Sequence, residues 1–214
     1  MYRVDPGRVG VWGGSQSGKT RYAKALARGF PRRIVLDYLD AWGDLCPQRA
    51  GTLAQLLEHV RKGWGGTIAA RYVPPRGVDP VEALASLSDL LFKVQQPYKD
   101  KQDDRHLWLI VEEMADPAPL SLRAATPFGQ LCRYGRHHGI GIVGISQRMA
   151  EVTPTFRGNC ETHVFFRMDG ARDLQAAADR VKPINPEYVR KLSLLQNNHG
   201  LKVSAGKVEE VKNS

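Results

Sequence analysis

Residues 8–28 constrain the fold of this chain more than any other segment. The apolar run Arg8–Trp12 predicts a buried strand, and residues 21–28 predict a helix that ends at a glycine. The loop between them fits the pattern G-x-x-x-x-G-K-[ST], and its residues are Gly13, Gly14, Ser15, Gln16, Ser17, Gly18, Lys19 and Thr20. A strand, a glycine-rich loop and a helix in this order predict a phosphate-binding loop.

The residue types of this loop explain the chemistry that we expect from it. Glycines let the backbone wrap with its N–H groups turned inward, and the N-terminus of the following helix adds partial positive charge. Lys19 can reach the β- and γ-phosphates of a nucleotide, and the Thr20 hydroxyl can hold Mg²⁺. The loop therefore predicts binding of a nucleoside triphosphate together with Mg²⁺.

Length and composition set the limits for the rest of the chain. The 214 residues, of which 42% are hydrophobic, can bury one substantial core, so we expect a single domain over 1–214. No apolar run approaches the roughly 20 residues of a membrane span. Residues 1–6 lack the apolar stretch of a signal peptide, and we therefore expect a soluble, intracellular protein. The net charge of +9 modestly favours a polyanionic partner.

Hydrophobic patterning predicts an α/β fold. The runs Leu107–Val111 and Ile140–Ile145 are continuously apolar, as in strands of a parallel sheet that are covered on both faces. Further strands are predicted at 33–38, 67–73 and 162–168, and helices at 53–62, 79–94, 128–137, 171–181 and 186–195. A C-terminal β-hairpin is predicted at about 196–212. Strands that alternate with helices indicate a central, mostly parallel sheet flanked by helices.

Two carboxylates follow the apolar strand 107–111. Parallel strands present ligands at their carboxyl ends, where the phosphate-binding loop also lies. We expect Glu112 to bind the Mg²⁺ shell directly or through water. Glu113 would orient and deprotonate the water that attacks the γ-phosphate, as a general base does in metal-assisted hydrolysis. The usual residue at the first of these positions is Asp, so Glu112 is a departure from the common pattern.

A third candidate functional motif lies at the end of the strand that begins at Ile140. The strand is followed by Gln147 and Arg148, and the amide of Gln147 would lie beside the γ-phosphate. There it can bond the phosphate or the attacking water. An amide at this position could equally cap a loop, but together with the two preceding elements it indicates a nucleotide-hydrolysing site.

The order of these elements resembles the FtsK–HerA superfamily of DNA-pumping ATPases. The resemblance covers roughly Val9 to Met168. Besides the phosphate-binding loop and the paired acids, it rests on Arg-x-Gly-Arg-His-His-Gly at 133–139, on Ser-Gln-Arg at 146–148, and on the segment 152–160. Within the superfamily, the chain looks most like the genome-packaging ATPases of icosahedral viruses with an internal membrane.

The resemblance implies a RecA-like P-loop fold, ATP and Mg²⁺ as cofactors, and a homo-oligomeric ring, usually a hexamer, with double-stranded DNA through its centre. It also implies a location at a viral packaging vertex, where a capsid or viral membrane protein would be the docking partner. The arginine that the family supplies to a neighbouring subunit maps onto Arg136, and Arg148 is a second candidate. Such a residue would neutralise charge that develops on the γ-phosphate.

Other functions remain open at this point. A cellular HerA-like DNA translocase or helicase motor would share the same motifs. A small P-loop nucleotide kinase would need an arginine-rich lid and does not normally carry an acid at the position of Glu113. A nucleotide-gated assembly protein would bind the nucleotide without moving DNA.

Overall fold

The computed structural model describes residues 6–213 and contains a nine-stranded sheet in the order β3-β4-β2-β5-β6-β1-β7-β8-β9. Its strands are β1 (Arg8–Trp12), β2 (Arg32–Leu36), β3 (Gln48–Ala50), β4 (Ile68–Tyr72), β5 (Leu107–Val111), β6 (Ile140–Ser146), β7 (Thr162–Phe166), β8 (His199–Ser204) and β9 (Lys207–Lys212). Strands β1 to β7 pair with one another in parallel. The hairpin β8–β9 extends the sheet in antiparallel fashion from β7.

Within residues 6–213, eight α-helices connect or flank these strands. They are α1 (Lys19–Ala27), α2 (Leu53–Gly63), α3 (Pro80–Val94), α4 (Gln96–Lys99), α5 (Pro127–Tyr134), α6 (Pro154–Asn159), α7 (Ala171–Val181) and α8 (Glu187–Lys191). Two short 3₁₀ helices cover Gly135–His138 and Met149–Glu151.

The side chains of the central strands alternate between two apolar clusters, one on each face of the sheet. Val35 of β2 belongs to the cluster that α1 covers, whereas its neighbours Ile34 and Leu36 belong to the other. That second cluster also receives the buried apolar residues of α2, α3, α5 and α7. Helices therefore lie on both faces, and the predicted α/β fold with a mostly parallel sheet is confirmed.

Most predicted elements occur within three residues of their expected bounds, but four elements differ from the prediction. The helix predicted at 186–195 is shorter, because only Glu187–Lys191 is helical and a turn follows it. Strand β3 and helices α4 and α6 were not predicted. The three residues of β3 are mostly polar and pair only with β4 at the edge of the sheet, so they carry no apolar pattern.

Candidate active site at the carboxyl edge of the sheet

The phosphate-binding loop joins the carboxyl end of β1 to the first turn of α1. It is anchored on both sides, because Gly13 N donates to Ser146 O of β6 at 3.3 Å and Gly14 N donates to Arg167 O after β7 at 2.7 Å. Gly18 has φ of +110°, and a Cβ there would lie 2.7 Å from Asn213 Nδ2. The positive φ therefore makes this position one that favours glycine.

Lys19 lies at the start of α1 and is almost completely buried. Its Nζ donates to Gly14 O at 2.6 Å, so the ammonium group lies against the backbone of the loop. Burial lowers the pKa of Lys19, and the nearby carboxylates of Glu113 and Glu112 partly oppose that change. The loop thus holds a cation that is poorly solvated and close to both acids.

Glu112 follows β5 directly and has only 5% of its surface exposed. Thr20 Oγ1 donates to its Oε1 at 2.9 Å, and Trp42 Nε1 donates to its Oε2. Burial raises the pKa of Glu112, while the hydrogen bonds from Trp42 and Thr20 lower it. The structure therefore brings together Thr20 and Glu112, the two side chains for which the sequence predicts a role at the metal.

Glu113 and Gln147 meet between the ends of β5 and β6. Gln147 Nε2 donates to Glu113 Oε1 at 2.8 Å. Glu113 has φ of +48°, a left-handed conformation that a residue with a side chain rarely adopts. Conformations of this kind cost about 1–3 kcal/mol and cluster at functional sites. The turn at Glu113 is thus a strained position, and it directs the carboxylate toward Gln147 rather than along the strand.

The two candidate arginines lie at opposite edges of the sheet. Arg148 follows Gln147 at the carboxyl edge, where it is exposed and pairs with Glu151 at 3.0 Å. Arg136 lies in the 3₁₀ helix that precedes β6, and its Nη1 is 3.7 Å from Glu161 Oε1. The seven residues of β6 separate the two edges by about 20 Å. Arg136 therefore lies far from the phosphate-binding loop of its own chain.

Residues that the sequence did not single out also contact the loop. Asn198, at the start of the C-terminal hairpin, donates its N–H to Ser17 O at 2.9 Å. Asn213, at its end, donates Nδ2 to Gly18 O at 2.9 Å and its N–H to Asn198 O at 2.9 Å. The base of the hairpin thus holds the second half of the loop. No local motif marks either asparagine.

The donor set of the site fits a hard divalent cation. Hydroxyl and carboxylate oxygens are the ligands that Mg²⁺ prefers, and Mg²⁺ is commonly held by one or two such groups together with water and substrate phosphates. Among residues 6–213, no cluster of three or more histidine, cysteine or acidic side chains is arranged to hold a metal by itself. Thr20 and Glu112 could therefore hold Mg²⁺ with help from a bound nucleotide.

These features define the class of the fold, which is that of the P-loop ATPases. No protein-family model matches the sequence, and no curated protein matches it significantly. The structure is similar to the genome packaging NTPase B204 from Sulfolobus turreted icosahedral virus 2 in complex with AMPPCP, with a TM-score of 0.74 and 15% sequence identity. The match covers 99% of this chain and 100% of B204.

Two further solved structures extend this similarity. B204, described as the DNA-packaging ATPase from Sulfolobus turreted icosahedral virus, matches with a TM-score of 0.69 and 16% identity over 99% of this chain and 100% of that one. VirB4 of Thermoanaerobacter pseudethanolicus matches with a TM-score of 0.56 and 13% identity over 97% and 89% of the two chains. These similarities confirm the P-loop fold that the predicted resemblance implied.

Two sequence predictions concern membrane-spanning helices and the first residues of the chain. In the part of the chain between residues 6 and 213, no helix combines the length and the apolar character that crossing a membrane requires. The predicted absence of a signal peptide rests on residues 1–6, of which 1–5 lie outside the described residues.

Proposed function

We propose that this chain is an ATP-hydrolysing motor that moves double-stranded DNA and packages a viral genome into a preformed capsid. The observation that carries the proposal is the meeting of the phosphate-binding loop, the acids Glu112 and Glu113, and Gln147 at one edge of the sheet. The fold shared with the packaging enzyme B204 supports the DNA-moving part. A homo-oligomeric ring, expected to be a hexamer, and a location at the packaging vertex belong to the same proposal.

Hydrolysis would follow from the geometry of these side chains. The loop amides and Lys19 bind the β- and γ-phosphates. Glu113 accepts a proton from the attacking water as its oxygen bonds to the γ-phosphorus, and the bond from that phosphorus to the ADP oxygen breaks. Gln147, which contacts Glu113, orients the same water. When bound, Mg²⁺ would neutralise phosphate charge, with Thr20 and Glu112 as the side chains that hold it.

The position of Arg136 supports a role across a subunit interface. It lies at the amino edge of the sheet, so it can reach a γ-phosphate only in a neighbouring copy of the chain. Glu161, which also bonds the backbone N–H of Arg8, holds it there. An arginine supplied in this way can raise the rate of hydrolysis by about 10³–10⁵-fold.

We expect mixed rings to recover activity that neither variant has alone. Lys19→Ala removes the phosphate-binding lysine, and Arg136→Ala removes the proposed trans arginine, so the two defects lie on opposite sides of one interface. Random mixing of equal amounts would restore both groups at about a quarter of the interfaces. Phosphate release by the mixture, compared with each variant alone, measures the recovery.

A matched mixture provides the control for this experiment. Lys19→Ala and Glu113→Gln both act within one chain's own site, so a ring of these two should recover nothing through Arg136. If Arg136→Ala alone is fully active, Arg148 becomes the candidate and is tested in the same way. Full activity of both arginine variants would reject the trans-arginine role.

Duplex DNA is expected to stimulate ATP turnover and to bind through its phosphates. A packaging motor must move over any sequence, so its affinity should vary little between unrelated duplexes. The logarithm of the binding constant should fall linearly with the logarithm of salt concentration, with a slope of about −0.9 per phosphate neutralised. Phosphate release with and without DNA, and fluorescence anisotropy of labelled duplexes at several salt concentrations, measure the two effects.

The same experiment separates the alternative functions. A nucleotide kinase would ignore duplex DNA and would transfer phosphate to a small nucleotide or nucleoside. A nucleotide-gated assembly protein would bind ATP without DNA-stimulated turnover. A cellular translocase would behave as a packaging motor does in this assay, and only a packaging assay with capsids distinguishes the two.

A further inference from the structure

The side chain of Glu112 is held at both carboxylate oxygens. Thr20 donates to one oxygen at 2.9 Å, and the indole N–H of Trp42 donates to the other. Trp42 comes from the loop after β2, a segment that no sequence motif connects with the phosphate-binding loop. An indole N–H can only donate a hydrogen bond, and its acceptor here is the Glu112 carboxylate.

The backbone of Trp42 is fixed by Asp37, the residue that follows β2. The carboxylate of Asp37 is fully buried and accepts the N–H groups of Ala41 at 3.0 Å and of Trp42 at 2.9 Å. Arg71 Nε lies 3.9 Å from Asp37 Oδ2, and Arg71 Nη1 donates to Cys46 O. Polar contacts of Asp37 and Arg71 therefore hold both ends of the loop that carries Trp42 in place.

The ring of Trp42 is equally constrained. It is fully buried in the apolar cluster that also contains Val35 and Ala23. Lys24 of α1 lies with its Nζ 5.5 Å from the centre of the ring and pairs with Asp44 at 2.7 Å. Packing and the cation–π contact hold the indole with its N–H directed at Glu112.

We infer that Trp42 is a positioning residue for the carboxylate that supports Mg²⁺. Glutamate has one more methylene and one more torsion than the usual aspartate, so its carboxylate needs an additional contact to stay in place. Trp42 donates to one carboxylate oxygen of Glu112, and the Thr20 hydroxyl donates to the other. The remaining lone pairs of these oxygens can accept hydrogen bonds from water bound to Mg²⁺. The inference rests on the proposed function, because it assumes that a nucleotide binds here together with Mg²⁺.

Trp42→Phe tests the inference because it keeps an aromatic ring but removes the N–H. We expect the affinity for ATPγS in EDTA to stay within about twofold of the unaltered chain, since among the described residues the hydrogen bonds of Trp42 go to Glu112, Asp37 and its own loop rather than to the phosphate-binding loop. The gain in affinity on adding Mg²⁺ should shrink by about 10–100-fold, the usual effect of losing such an outer partner. Isothermal titration of ATPγS at a series of Mg²⁺ concentrations measures both quantities.

Trp108→Phe is the matched control. Trp108 is buried in the same apolar cluster and stacks on Phe30, but it lies within β5 rather than at Glu112. This variant should keep the full Mg²⁺-dependent gain. A Trp42→Phe chain that is folded by circular dichroism and keeps the full gain would overturn the inference. If the unaltered chain shows no gain with Mg²⁺, the proposed function fails instead.

Tryptophan fluorescence keeps the inference testable if Trp42→Phe does not fold. The chain has four tryptophans, and because Trp42 donates to Glu112, we expect its emission to change when Mg²⁺·ATPγS changes the surroundings of that carboxylate. The emission change should therefore persist in Trp12→Phe, Trp64→Phe and Trp108→Phe. Its loss in any of these variants would assign the response to another tryptophan and contradict the role of Trp42.

Discussion

Glu113→Gln is expected to bind ATP as tightly as the unaltered chain and to hydrolyse it about 10²–10⁴-fold more slowly, the usual contribution of a general base. The amide has the shape of the carboxylate, and its oxygen can still accept the hydrogen bond from Gln147. It cannot, however, take a proton from water at neutral pH. Calorimetric titration with ATPγS and measurement of phosphate release separate binding from hydrolysis.

Glu82→Gln is the control for a change of charge alone. Glu82 lies in the first turn of α3, which follows β4 at the same edge of the sheet, and its side chain is exposed. This variant should bind and hydrolyse ATP normally. Hydrolysis at the normal rate by Glu113→Gln would remove Glu113 from the mechanism, and its carboxylate would then serve only to hold Gln147.

The local patterns of the sequence predict the central strands well because these strands are buried on both faces. Strands β1 and β5 begin and end where the apolar runs do, and α7 matches its predicted range. The hairpin turn is also visible locally, since Ala205 and Gly206 both adopt positive φ, as a tight turn requires. The spacing of apolar residues and the residue types of a turn are properties of neighbouring residues, so a single sequence shows them.

The order of strands in the sheet is not a local property. Strand β5 lies between β2 and β6, although about seventy residues separate it from β2 along the chain. The loop motif and the paired acids predict that their side chains share one edge, because parallel strands end together. They do not predict which neighbouring loops complete that edge.

The contacts that the sequence did not predict all join distant segments. Trp42 and Glu112 are 70 residues apart, and Asn213 lies 195 residues from Gly18. Tryptophan in a loop is more often a packing residue, and asparagine is common in turns, so neither residue type reveals its partner. These contacts depend on how the sheet brings its edges together, and only the folded structure shows them.

Lys19→Ala is expected to weaken ATP binding by about 100-fold or more, which corresponds to about 3 kcal/mol. The loop amides would remain, but the loop would lose its only side-chain cation. The same change should not weaken the fold. Burial lowers the pKa of Lys19, which means that folding places a charged group where its charge is disfavoured. The free variant should therefore melt at the same temperature as the unaltered chain or higher.

This combination distinguishes loss of a ligand contact from loss of structure. Calorimetric titration with ATPγS and thermal melting of the free protein measure the two effects on the same sample. Lys62→Ala removes an exposed cation from the last turn of α2 and should change neither. Since Lys19 acts in binding and Glu113 in the chemical step, only Lys19→Ala should lose affinity. Equal losses of affinity in both variants would contradict this division and would make Glu113 part of the binding site instead of the general base.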